Sequence, residues 1–217
     1  MNITEEEKKA VYKTIYNRRD TRSEFKTEDI DDEVINRILD AAHHAPSVGF
    51  MQPWDFIVVR DKKVKEQIKD GFEQANEEAK LMFKDERQKI YKSLKLEGIL
   101  EAPVGICITC NRNRAGETVL GRTANLDMDL YSAVCAVQTL WIAARAENLG
   151  VGWVSIIHHD VLKEILDIPE DIVPIAYLCI GKVDYFHDKP ELEKAGWTSR
   201  IPLDQLVHYD KWNKKEN

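Results

Sequence analysis

The chain has 217 residues, of which 43% are hydrophobic and 32% charged, and its formal net charge is −7. A chain of that length supports a full buried core without disulfide or metal staples. The acidic balance argues against a nucleic-acid binder, which carries a basic excess, and no run approaches the roughly 20 apolar residues that span a bilayer.

The opening from Met1 to Lys9 is polar and acidic, the wrong chemistry for a secretory signal. Cys107, Cys110, Cys135 and Cys179 suit a reducing compartment, where thiols act as small buried apolar groups. A cytoplasmic protein is expected. No repeat or Pro/Gly/Ser linker divides the sequence, so one domain is expected over residues 1–217.

Thr4 and Glu7 read as a capping box that starts a helix over Glu5 to Asn17. A second helix is expected over Asp32 to His44, with Val34, Ile35, Ile38, Leu39 and Ala42 on one face and Pro46 just beyond. Trp54 to Val59 is the first β-rich run. The charged stretch Lys62 to Leu100 has helical periodicity broken near Lys84 and Asp85, which predicts two helices lying largely at the surface. Val104 to Thr109 reads as a buried strand and Asn111 to Thr123 as a loop.

Asp127 to Leu149 is the most apolar helix. Leu130, Val134, Val137, Leu140, Trp141 and Ala144 form a wide stripe for the core or a subunit interface, with Gly150 placed as the C-cap. Two strands, Val151 to Ile157 and Ile175 to Ile180, flank a short helix at Val161 to Leu166. The remainder, 184–217, reads as an irregular extension long enough to cross a partner subunit. Strands separated by helices would allow a parallel sheet. No Gly-rich turn follows any of them, so a bound phosphate would have to be held by arginine side chains.

Arg18, Arg19 and Arg22 surround Asp20 and Thr21 just after the first helix. Guanidinium groups grip phosphate oxygens bidentately, although a solvated charged loop has the same composition. Between the second helix and first strand, two prolines and a glycine stiffen the loop Ala45 to Trp54. Ser47 and Gln52 offer hydrogen bonds there, and Phe50, Met51 and Trp54 offer flat or soft apolar surface. That mixture suits a flavin ring, and equally an ordinary connecting loop with a core tryptophan.

Taken in order, Arg18 to Arg22, Pro46 to Trp54, Gly150 to Ser155, and Arg200 before Ile201-Pro202-Leu203 resemble the FMN-dependent nitroreductase superfamily over essentially the whole chain. Asp20 stands where most of that superfamily has serine, and Phe50 where it has asparagine. With Gly152-Trp153-Val154-Ser155 and Tyr91 to Gly98, these departures resemble its dimethylbenzimidazole synthase branch.

The resemblance implies an α+β nitroreductase-like sandwich with a central, mainly antiparallel sheet flanked by helices. It also implies an intertwined homodimer with FMN at the subunit interface, so that Ser47 and Gln52 serve the partner's flavin. In that branch reduced FMN is the substrate and is fragmented with dioxygen to 5,6-dimethylbenzimidazole and erythrose 4-phosphate, for the lower ligand of cobalamin. A separate flavin reductase is implied as supplier. Asp20 and Ser155 are implied as the catalytic pair, carboxylate as base and hydroxyl as proton relay. A neighbouring Arg18 or Arg22 should keep Asp20 ionised. Met51 and Leu96 are candidates for contact with the ring, and Arg18, Arg22 and Arg200 for the phosphate, with Arg19 and Thr21 in the same cradle. Part of 62–100 would act as a lid that keeps water out. A nicotinamide-dependent nitroreductase or quinone reductase that retains its FMN is the alternative, and a non-catalytic flavin carrier would need neither Asp20 nor Ser155.

Two other motifs carry less. Cys107-Ile108-Thr109-Cys110 has redox or zinc spacing, but residues three apart on a strand face opposite ways and no second pair exists, so no metal is expected. Adjacent His43-His44 and His158-His159 are poorly placed to chelate, and His158 could border the site because it follows Ser155 closely.

Overall fold

The computed structural model describes residues 2–212; Met1 and the end of the expected extension, 213–217, lie outside the described residues. In chain order the helices are α1 (Glu5–Asn17), α2 (Asp32–His43), α3 (Lys62–Met82), α4 (Asp85–Ser93), α5 (Met128–Ala146), α6 (His159–Ile165) and α7 (Glu191–Lys194). The strands are β1 (Trp54–Val59), β2 (Val104–Asn111), β3 (Gly150–Val154) and β4 (Ile172–Gly181).

The strands form one sheet in the order β1-β2-β4-β3, every pair antiparallel. Strand β2 is buried along nearly its whole length because both faces are covered. Alternation sorts its side chains: Ile106 and Ile108 join the cluster under α2 and α5, whereas Cys107 joins the opposite cluster under α3 and α6. The architecture is the expected α+β sandwich, and the alternation of strands and helices did not produce a parallel sheet.

Local signals explain most boundaries. The Thr4 hydroxyl accepts from the Glu7 amide at 3.3 Å while Glu7 Oε2 accepts from the Thr4 amide at 2.7 Å, closing the capping box. Asp61 caps α3 by accepting from Lys63 and Val64. The end of α5 differs from the expected one. It stops at Ala146, and Asn148 takes the left-handed conformation (φ 59°), so Gly150 begins β3 instead of capping the helix.

The buried face of α5 also differs. Ala133, Ala136, Val137, Leu140, Trp141 and Ala144 are buried, but Leu130 is only partly covered and Val134 is exposed. The small alanines let the helix approach the sheet, turning Val134 and Tyr131 outward. Helix α1 buries nothing, and its Val11, Tyr12, Ile15 and Tyr16 are exposed. The charged stretch is less superficial than its composition suggests: α3 buries Lys65, Ile68, Gly71, Phe72 and Ala75, and Glu97, Gly98 and Ile99 are buried after α4. No helix among the described residues is long and apolar enough to cross a membrane.

Candidate active site

The Arg18–Arg22 segment leaves α1 and runs beside β3. The Thr21 amide donates to Val151 O at 3.0 Å, and Asp20 pairs with Val151 as a parallel bridge. Two glycines make room for that approach. A Cβ on Gly152 would lie 2.1 Å from Thr21 O, and one on Gly150 would lie 2.4 Å from Val183 and 3.0 Å from the Thr21 side chain. The Gly-Val-Gly run thus serves close backbone contact, and it leaves Thr21 buried against the strand.

Asp20 is held from two sides. Its Oδ1 accepts from the Trp153 amide at 3.1 Å, and its Oδ2 accepts from Arg22 Nη2. Burial pushes its carboxyl above the usual range, although Arg22, the Trp153 amide and Arg18 all pull it back. Desolvation is the largest of these influences, and the arginines expected beside Asp20 act against it. Ser155 follows β3 directly and is exposed. It lines a hollow of about 170 Å³ with Trp153, Ile157, Leu162, Ala176 and Tyr177. Trp153, which anchors Asp20, is two residues before Ser155, so one strand end holds both predicted catalytic groups.

The arginines have different occupations. Arg18 lies over the Trp141 ring at 4.7 Å. Arg19 donates to Tyr16 O at 2.8 Å, to Arg18 O at 2.7 Å and to Asp188 O, tying the C-terminal segment to the end of α1. Arg22 spends its guanidinium on Asp20 and, at 2.9 Å, on Glu191. Arg200 joins Arg18 and Arg19 around a cleft of about 550 Å³ completed by Ile15, Tyr16 and Gln138. No carboxylate lines this cleft among the described residues, and Arg19 Nε is buried without a partner there. Burial, with Arg19 and Arg200 nearby, lowers the Arg18 pKa against the pull of Asp20. An anion in the cleft would relieve that strain, so these residues fit a phosphate.

The Ala45–Trp54 loop is built from within. Ser47 Oγ accepts from the Gln52 amide at 3.1 Å, Ser132 Oγ accepts from the Val48 amide at 3.0 Å, and Gly49, Phe50 and Gln52 take positive φ. Met51 is buried and Phe50 exposed. No hydrogen bond joins this loop to the Arg18–Arg22 segment among the described residues. Leu96, by contrast, packs on the α3/α6 side of the core, and Gly98 abuts the arginine segment so closely that a Cβ would lie 2.6 Å from Arg22 O.

Several contacts had no sequence signal. Glu191 is one, because an acid in an irregular tail looks like any solvated charge. Trp197 packs edge-on against Phe83 at 5.1 Å, beside Tyr91 and under Arg87, and so fastens the tail to the α3–α4 turn. His158 pairs with Glu78 at 2.9 Å at the surface. Burial pushes the Cys107 thiol to about 12 and the Cys110 thiol to about 11, which keeps both protonated, and no cluster of metal-ligating side chains occurs among the described residues.

Residues 15–182 match the model of the nitroreductase family. The 5,6-dimethylbenzimidazole synthase of Rhodospirillum rubrum is 43% identical over 85% of this chain and 87% of its own. One from Rhodobacter capsulatus is 35% identical over 94% and 98%. A crystal structure of oxidized iodotyrosine deiodinase bound to FMN and 3-iodo-L-tyrosine superposes with a TM-score of 0.73, covering 93% of this chain and 100% of that one at 20% identity. With its sheet, its glycine-supported arginine segment and these relatives in agreement, the chain belongs to the nitroreductase family.

Proposed function

We propose that this protein is a 5,6-dimethylbenzimidazole synthase, which fragments reduced FMN with dioxygen to 5,6-dimethylbenzimidazole and erythrose 4-phosphate. The observation that carries this reading is Asp20, a desolvated carboxylate held on the Trp153 amide at the strand end that leads to Ser155. The 43% identity to a relative of that name supports it.

Reduced flavin supplies the electrons for dioxygen chemistry; the chain supplies position, protons and dryness. Arg18 and Arg200 seat the phosphate in the arginine cleft, and Arg19 fixes the cleft wall through backbone carbonyls. Asp20 accepts a proton, its basicity maintained by burial. Ser155 relays a proton from the neighbouring strand end. Half-buried Leu96 lies two residues before Gly98, which abuts Arg22 O, and the α3–α4 turn held by Trp197 forms the lid that excludes water. Ser47, Met51 and Gln52 serve the flavin of a second protomer.

A homodimer is part of this reading. Helix α1 has no buried residue of its own, so its exposed Val11, Tyr12, Ile15 and Tyr16, with Tyr131 and Val134 of α5, need a partner surface. A monomer in solution that still binds FMN tightly would defeat it. A separate cytoplasmic flavin reductase would supply the reduced FMN.

The test mixes the protein with chemically reduced FMN in aerated buffer, without nicotinamide, and measures 5,6-dimethylbenzimidazole by mass. The expected product is lost in Asp20→Asn while FMN affinity persists. Intact FMN together with nicotinamide-driven reduction of a nitroaromatic would replace this reading with the ordinary nitroreductase.

A further inference from the structure

Arg22 is the centre of a three-membered charge group. Its Nη2 donates to Asp20 Oδ2 and its Nη1 to Glu191 Oε2 at 2.9 Å, while its Nε is buried without a partner among the described residues. Its side chain is 10% exposed, against 33% for Asp20 and 23% for Glu191, so the guanidinium is well covered while both carboxylates keep partial access to solvent. The pairing spans 169 residues: Glu191 opens the short helix α7 and Asp20 follows α1. Other contacts hold the two segments in register. His187 Nε2 pairs with Glu24 Oε1 at 2.9 Å, Glu24 Oε2 accepts from the Arg22 amide at 3.3 Å, and Asp188 O accepts from Arg19.

We propose that Glu191 is a positioning residue for Asp20, acting through Arg22. By sharing the guanidinium it fixes the angle from which Arg22 meets Asp20, and it offsets part of the positive charge that would otherwise fall on that carboxylate. A single arginine bonded only to Asp20 would hold it firmly ionised and make it a poor base. The second carboxylate leaves the group with a net charge of −1 and returns basicity to Asp20, in line with the upward push that Glu191 exerts on it. The other groups facing Asp20 are Arg18 on its own segment, the Trp153 amide on β3, and the Cys179 thiol on β4, which burial keeps neutral.

This inference deepens the proposed function and rests on it for the catalytic meaning of Asp20, but its test does not need turnover. The ionisation of Asp20 is followed by the carboxyl ¹³C shift in flavin-free protein labelled at aspartate, assigned by its loss in Asp20→Asn. In Glu191→Gln, which keeps a hydrogen-bond acceptor for Arg22 but removes the charge, the midpoint is expected to fall, because the like charge that raises it is gone. The acid limb of the pH profile for FMN fragmentation should move down with it while FMN affinity is kept, and Glu191→Asp should restore most of both. An unchanged Asp20 midpoint in a folded Glu191→Gln protein overturns the proposal. A shifted midpoint in a protein that does not fragment flavin would leave the coupling standing and remove the catalytic reading instead.

Discussion

Gly152→Ala tests whether close contact between β3 and the arginine segment builds the site. The new Cβ would lie 2.1 Å from Thr21 O and 3.3 Å from Thr21 C, with Asp20 Oδ1 at 3.7 Å. Both tight neighbours are backbone atoms, so no rotamer change relieves them. Real Cβ atoms essentially never come nearer than 3.0 Å, so strand and segment must separate by about 1 Å. The interactions at risk are the Thr21 amide to Val151 O at 3.0 Å and the Trp153 amide to Asp20 at 3.1 Å. Overpacking of this kind costs about 1–3 kcal/mol, and weakening a bond to a charged acceptor adds about 1 kcal/mol more. We expect a loss of about 2–4 kcal/mol, which for a domain of this size lowers Tm by roughly 5–15 °C. Displacing Asp20 by about 1 Å should slow flavin fragmentation on the order of a hundredfold. Thermal unfolding and product formation are measured on the same preparation. Wild-type Tm together with wild-type turnover would refute the idea that Gly152 exists for this contact.

Glu97→Gln probes the anchored base of the proposed lid. Burial pushes the Glu97 carboxyl up, but the Ile99 amide, Lys69 and Lys95 together outweigh it and hold the group below its usual 4.5. Because the folded value is depressed, the stabilisation is present above pH 4.5 and is lost as pH falls through the folded value. The variant should lose about 1.5–3 kcal/mol at about pH 7, the worth of a hydrogen bond to a charged group, and its deficit in denaturant titrations should shrink as the solution is made more acidic than the usual carboxylate range; a constant deficit counts against the ion pair. Arg200→Ala should weaken FMN binding roughly 10- to 100-fold, the worth of one charge-assisted bond, and calorimetry showing unaltered affinity would remove Arg200 from the phosphate seat. Trp197→Ala deletes the aromatic contacts to Phe83 and Tyr91, each worth about 1 kcal/mol. Amide exchange across residues 83–93 should then quicken about 30-fold, and unchanged protection would show that the tail does not hold this turn.

Much of the fold was legible before any coordinates. Thr4 and Glu7 marked the start of α1, Lys84 and Asp85 the break between α3 and α4, and Trp54 to Val59 the bounds of β1. Each is a local signal, set by hydrogen-bonding and dihedral preferences within a few residues. The ordered motifs from Arg18 to Arg200 likewise identified the family, because residue type and order survive without coordinates.

What required tertiary structure was the use of each group. Three arginines look alike in sequence, yet Arg18 lies on Trp141, Arg19 holds carbonyls and Arg22 joins two carboxylates. Val134 fitted a helical stripe but faces outward, because Ala133 and Ala136 let α5 settle on the sheet along a different line. Glu191 was invisible because its partner lies 169 residues away. The sequence by itself determined elements, family and the inventory of chemical groups, since these depend on near neighbours along the chain. Burial, pairing and basicity depend on which distant segments displace water from one another, and only the folded chain decides that.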